Sequence, residues 1–292
     1  RIEKGRRLLA KRTVLWSIGS QPDYNGVVVM EDILLVVDNM ACNLHLYSRL
    51  DGKLISSHRL EGIPMGVCLI SKTEVAVCLL YSRIVIMSFK SIDDVKRVRT
   101  FNVKTGFYEC HSVAKWNPDK LIVSGLKWDD AMLYWCVVNL TDRRVHSTHE
   151  VCRMGLGSQM AIKNDSVYIS CLTSDPNVRA VYAFDIYNPH TPKFVYRPHG
   201  FIPDSIMVDE RNFIYVCGYN RIHQLTDSGQ LVDIHTLSSI PYGLFCDDQH
   251  GLLYTTNRRS NVITVYRLEY SHQSGVPIEI LKMDDKSIQL FA

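Results

Sequence analysis

Six polar turn pairs recur along the chain at an almost even step, and no other feature limits the possible folds so tightly. They are Glu31-Asp32, Lys72-Thr73, Pro118-Asp119, Asn164-Asp165, Glu210-Arg211 and Gln249-His250, and from Asp32 to His250 the steps are 40, 47, 46, 45 and 40 residues. A second ladder runs between them through Asp51-Gly52, Asp93-Asp94, Thr141-Asp142, Asn188-Pro189 and Asp227-Ser228-Gly229, with steps of 42, 48, 47 and 40. The two ladders keep phase. The segments they bound, such as 33–37 and 44–47, are short, apolar and rich in β-branched residues, and none carries a capped 3.6-residue period. The chain reads as strand and turn throughout.

Residues 212–232 are the cleanest copy of the unit. An apolar run, 213–217, leads into Asn220-Arg221-Ile222, then Leu225, then Asp227-Ser228-Gly229. The last triplet supplies the positive φ of a tight hairpin turn. One such unit cannot bury its own apolar faces, so it needs copies beside it. Repeats of about 40–50 residues with about four short strands each are the signature of a β-propeller. The expected fold is therefore all-β: a six-bladed propeller of four-stranded antiparallel blades spanning 13–271, with blades near 23–62, 63–106, 107–155, 156–200, 201–239 and 240–271. Residues 1–12 read as a basic linker and 272–292 as a tail. The last blade is short. Residues 13–18 could supply its outer strand, or 277–281 could complete it locally; the N-terminal strand is favoured because a ring fastened by both ends leaves no open edge.

Composition narrows the setting. With 46% hydrophobic and 22% charged residues over 292 positions, the chain is globular in type. No apolar stretch approaches the roughly 18 residues of a spanning helix, and the opening RIEKGRRLLAKR has no signal-peptide core, so neither membrane nor secretion is expected. The first residue is Arg1, which suggests a domain cut from a longer polypeptide. Nine cysteines, several inside apolar runs (Cys68, Cys78, Cys171, Cys217 and Cys246), suggest reduced thiols and a cytoplasmic location. Residues 1–12 hold six basic side chains and one acid, and residues 13–292 hold 27 basic against 29 acidic, so the body carries −2. A domain built to neutralise many phosphates usually carries a basic excess.

Tyr219-Asn220-Arg221-Ile222 followed by Asp227-Ser228-Gly229-Gln230-Leu231 resembles the NHL repeat. The nine-residue spacing from Asn220 to Gly229 recurs from Asn43 to Gly52, and 82–85 and 261–266 look like degenerate copies. The third blade departs from the pattern with Trp128, Trp135 and Cys136 and no Asn-Arg pair; the sixth lacks the Gly turn. The resemblance implies a recognition domain at the C-terminus of a tripartite-motif ubiquitin ligase. Such a domain is monomeric, sits in a parent chain dimerised by a coiled coil, and binds a ubiquitylation substrate. No Cys-x-x-Cys pair is present, so no RING domain lies in this sequence.

Catalytic signatures are sparse. Gly155-Leu156-Gly157-Ser158 is no nucleophile elbow, there is no phosphate loop, and nothing calls for a cofactor. The best enzymatic alternative is a calcium-dependent hydrolase with carboxylates at the starts of inner strands, for which Asp23, Glu61, Glu109 and Asp204 are placed. A binding face is better supported. In a four-stranded blade, the loop entering the first strand and the loop between the second and third open on one side of the disc. Those loops bring Tyr81, Arg83, Phe107, Tyr108, Lys127, Trp128, Arg153, Arg179, Arg197, Tyr219, Arg221, Tyr242, Arg258 and Arg259 to one face. Aromatic and Arg side chains dominate interface hot spots and also stack on bases. Interleaved acids (Asp38, Glu61, Glu109, Asp129, Asp130 and Asp175) favour a protein partner over a phosphate backbone. The first reading is a non-catalytic domain that binds a protein partner, the second is single-stranded RNA binding on the same face, and the third is the hydrolase.

Overall fold

The computed structural model describes residues 6–14, 24–89, 95–102, 107, 109–127, 132–153, 159–171, 179–200, 202–237, 240–257 and 262–270. Strand β1 (Arg6–Val14) comes first. The first blade is β2 (Tyr24–Met30), β3 (Ile33–Asp38), β4 (Asn43–Ser48) and β5 (Leu54–Arg59). The second is β6 (Pro64–Leu69), β7 (Glu74–Leu79), β8 (Arg83–Phe89) and β9 (Val95–Asn102). The third is β10 (Glu109–Asn117), β11 (Lys120–Lys127), β12 (Met132–Asn139) and β13 (Val145–Arg153). The fourth is β14 (Met160–Lys163), β15 (Ser166–Cys171), β16 (Ala180–Asp185) and β17 (Phe194–Tyr196). The fifth is β18 (Ser205–Val208), β19 (Ile214–Gly218), β20 (Arg221–Leu225) and β21 (Leu231–Thr236). The sixth is β22 (Pro241–Asp247), β23 (Leu252–Asn257) and β24 (Val262–Tyr270), with β1 as its outer strand.

All six sheets are four-stranded and antiparallel, and the inner strands β2, β6, β10, β14, β18 and β22 neighbour one another in ring order. The molecule is a six-bladed β-propeller. Among the described residues no helix is long and apolar enough to cross a membrane.

Closure comes from the N-terminus but at another register. Pairing runs from Arg6 opposite Tyr270 to Val14 opposite Val262, so Thr13 and Val14 of the expected strand take part, and residues 6–12 are strand rather than linker. An outermost strand has one open edge and tolerates basic residues there, which is why a charge run concealed it. Residues 15–18 and 272–292 lie outside the described residues.

Among the described residues the core forms six clusters, each straddling two neighbouring blades. Strand β7 shows how period-two alternation builds them: Val75, Val77 and Leu79 pack against the first blade with Leu35, Val37, Leu44 and Leu46. Ala76 and Cys78 face the third blade with Cys110, Val113, Leu121 and Val123. A middle strand covered on both faces reads as an unbroken apolar run, and a one-residue slip would exchange its two contact sets. Outer strands instead alternate; β13 does so between exposed and half-buried positions along most of its length. Around the axis the inner strands lie so close that a Cβ on Gly66 would sit 3.3 Å from the Ser112 Cα and 3.4 Å from the His111 carbonyl oxygen.

The cysteines are not all free thiols. Cys152 on β13 and Cys171 on β15 form a disulfide across the third and fourth blades, inside the cluster that contains Trp135 and Ile169. This corrects the expectation of uniformly reduced cysteines; the remaining seven are free. Burial pushes the thiols of Cys68 and Cys110 up to about 12, so these two are packing groups rather than nucleophiles.

Candidate recognition face

Because strand direction alternates within each blade, the starts of the inner strands and the second-to-third-strand turns share one side of the disc, here called the front face. Its turns are fixed by backbone bonds. In the second blade Leu80 N–H donates to the Ile63 carbonyl (2.8 Å), Cys110 N–H donates to the Leu80 carbonyl (2.9 Å), and the Ser82 hydroxyl donates to the Phe107 carbonyl. Ser82 takes a left-handed conformation, φ 52°. The Tyr81 side chain beside this turn is exposed.

The fifth blade repeats the device. Tyr219 itself is left-handed, φ 51°, and Leu237 N–H donates to the Asn220 carbonyl at 2.7 Å. In the first blade Cys42 takes φ 52°, while Ala41 N–H donates to Asp38 Oδ1 at 3.0 Å. Non-glycine residues with positive φ are uncommon, and one stands in this turn in each of these three blades. Exposed apolar groups form an arc over four consecutive blades: Tyr219 (50% exposed), Ile240 (48%), Met40 (70%) and Tyr81 (57%).

The charged positions around this arc are mixed. Arg83 opens β8 and lies 4.0 Å from Glu61, both partly exposed, a weak pair at most. Arg221 opens β20 and is exposed, as are Arg153 at the end of β13 and Arg197 just past β17. Arg179 and Tyr242 are half-buried. Lys127 holds its ammonium 4.2 Å from the centre of the Tyr134 ring. Phe107 is only 5% exposed and stacks on Tyr134, so its ring belongs to the core. Tyr108, Trp128, Arg258 and Arg259 lie outside the described residues, as do Asp23, Asp129, Asp130 and Asp175. Met40 and Ile240 were not placed on this face from the sequence; their signal was an apolar residue standing inside a turn or directly before an inner strand.

The carboxylates considered as metal ligands are differently employed. Glu109 Oε2 accepts from His111 Nε2 at 3.0 Å, which holds the Glu109 carboxyl below its usual value. Glu61 faces Arg83, and Asp204 is buried beside β18. Among the described residues no three His, Cys, Asp or Glu side chains gather as metal donors. His111 is itself buried, and its Nδ1 has no hydrogen-bond partner among the described residues.

No known family profile matches the chain, and no curated protein sequence does. Solved structures do resemble it. A gluconolactonase from Xanthomonas campestris superposes with a TM-score of 0.69 at 11% identity, over 91% of each chain. A luciferin-regenerating enzyme superposes with a TM-score of 0.66 at 16% identity, over 89% of this chain and 95% of that one. The β-propeller domain of Myceliophteria thermophila Cps50 (Swd1) superposes with a TM-score of 0.62 at 9% identity, over 90% and 95%. At such identities the likeness establishes the fold alone. It gives no support to the NHL or tripartite-motif resemblance. It also corrects the expectation that the domain is not an enzyme: two of these three propellers are enzymes, so the exclusion is withdrawn. What the comparisons and the structure establish together is a β-propeller fold, with six blades in this chain.

Proposed function

We propose that the propeller recognises a polypeptide partner through its front face. The observation that carries this reading is the arc of exposed apolar side chains, Tyr219, Ile240, Met40 and Tyr81, on four consecutive blades. In two of these blades an arginine, Arg221 or Arg83, follows the tyrosine two residues later. Aromatic and Arg anchors at the centre of a patch, ringed by charges of both signs, match the anatomy of protein interfaces. The intervening acid Glu61 makes the face a poor track for a phosphate backbone. Within a tripartite-motif-like ligase the partner would be a ubiquitylation substrate. Selection of a randomised peptide display library on the folded domain tests the reading. Enrichment of a consensus that Tyr81→Ala and Tyr219→Ala variants fail to retain supports it, and absence of enrichment on the wild-type domain overturns it.

A second reading, catalysis beside the start of β10, is favoured by one observation. Glu109 orients His111 through Nε2, and the buried Nδ1 is left with an unpaired acceptor. That is the arrangement of a general base with its orienting carboxylate. Hydrolysis of chromogenic ester and lactone probes, abolished in His111→Gln at unchanged melting temperature, supports this reading; no turnover above background removes it.

A further inference from the structure

The opposite side of the disc, the rear face, holds the ends of the inner strands and the turns that join first to second and third to fourth strands. At its centre lies a cavity of about 680 Å³, floored by Val29, Leu69 and Phe245. That volume falls within the range of small-molecule sites. Its charged rim is divided by blade. The fifth, sixth and first blades contribute acids, and the second and third contribute Lys72 and Lys115.

Arg49, the one Lys or Arg that the first, fifth and sixth blades contribute to the described lining, is consumed within the wall. Its Nη2 lies 2.6 Å from Asp247 Oδ2, its Nε donates to Tyr254 Oη at 2.9 Å, and its Nη1 donates to the Glu31 carbonyl at 3.2 Å. Asp247 also meets His250 Nδ1 at 2.8 Å. This buried network fastens the first blade to the sixth and contributes no net charge to the cavity.

Of the other charged groups in the lining, Glu31 and Asp32 of the first blade have no lysine across the axis, and two pairs of opposite sign face one another. In a ring of six, the second blade faces the fifth and the third faces the sixth, so Lys72 faces Glu210 and Lys115 faces Asp248 across the axis. One member of each sign is anchored. Lys115 Nζ donates to the Ile70 carbonyl, leaving it two further donors. Asp248 Oδ2 accepts from Glu210 N–H at 3.0 Å, and its Oδ1 accepts from Cys246 Sγ at 3.3 Å. Lys72 and Glu210 enter no ion pair among the described residues. A simple anion would meet the carboxylates of three blades, and a simple cation would meet both lysines. A ligand carrying both signs at its two ends satisfies each wall.

We propose that the rear cavity binds a small zwitterionic amino-carboxylate, a short peptide with free termini. The carboxylate lies toward Lys72 and Lys115, the ammonium toward Glu210 and Asp248, and an apolar middle rests on the floor. This site is independent of the front face. The test uses Gly-Leu-Gly with free termini, its N-acetylated form and its C-amidated form, followed by amide chemical shifts of the folded domain. The free peptide is expected to shift rim amides such as those of Lys72 and Glu210 at millimolar concentration, and blocking either end weakens binding by about fivefold or more. Lys72→Glu and Glu210→Lys, both at exposed positions, each weaken it similarly. The double exchange does not restore it, because Lys115 and Asp248 keep their signs and each wall becomes mixed. The proposal is overturned by absence of shifts at ~10 mM free peptide, by equal binding of the blocked forms, or by single exchanges that leave binding unchanged.

Discussion

Tyr196 Oη lies 2.6 Å from His223 Nδ1, one hydrogen bond that joins the outer strand of the fourth blade to the third strand of the fifth. Which of the two donates depends on the tautomer of the imidazole. Burial, aided by the nearby Arg221, lowers His223 from 6.5 to about 4. Burial also raises Tyr196 to about 12.

A pH dependence of stability follows from that pair. The unfolded chain binds a proton at His223 near 6.5, and the folded chain resists it until about 4. Stability is therefore full above 6.5 and falls as pH drops through this window, by on the order of 2 kcal/mol. Urea unfolding of wild type and His223→Gln at several pH values checks it: the variant should lose this part of the slope. Tyr196→Phe should cost about 1 kcal/mol at neutral pH.

Close packing of inner strands makes a second prediction. A Cβ at Gly243 would stand 2.9 Å from the Asn25 carbonyl oxygen and 2.8 Å from Thr256 Oγ1, the acceptor of the Gly243 N–H. Gly243→Ala must push β22 from β2 and should destabilise by about 1–3 kcal/mol. Gly200 is the comparison, since its φ is +82° but nothing lies within 4 Å of its Cβ position. Gly200→Ala carries only backbone strain, about 1 kcal/mol. Thermal melting of the two variants should rank them in that order.

The mixed charge of the front face predicts weak, unselective binding of a randomised single-stranded RNA pool at about 0.15 M salt, little altered by Arg221→Glu. Tight, sequence-selective binding with a steep salt slope, lost in that variant, would make RNA the ligand.

Much of the fold was legible because a propeller writes its period in turn chemistry and its middle strands in unbroken apolar runs. Glu31-Asp32 and Asn164-Asp165 do close first-to-second-strand turns, with Glu31, Asn164 and Asp165 at positive φ. β1 was hidden because an outermost strand needs no apolar pattern. The front face was legible only in part. Tyr81 and Tyr219 sit in turns whose local geometry forces them out, whereas Phe107 turns inward because Tyr134, on a different strand, offers it a stacking surface. No local pattern carries that. The same holds for Cys152 and Cys171, brought together by the approach of two blades, and for the rear cavity, whose facing charges, Lys72 and Glu210, lie far apart in sequence.

The most direct test of recognition by the front face is the affinity of a display-selected peptide for three proteins: wild type, the Tyr81→Ala/Tyr219→Ala double variant, and Tyr187→Ala. Tyr187 is more exposed than either but sits on the rear side. Recognition by the front face predicts a loss of about tenfold or more in the double variant and no change in Tyr187→Ala. Binding that survives the double variant, or that depends on Tyr187, would contradict it.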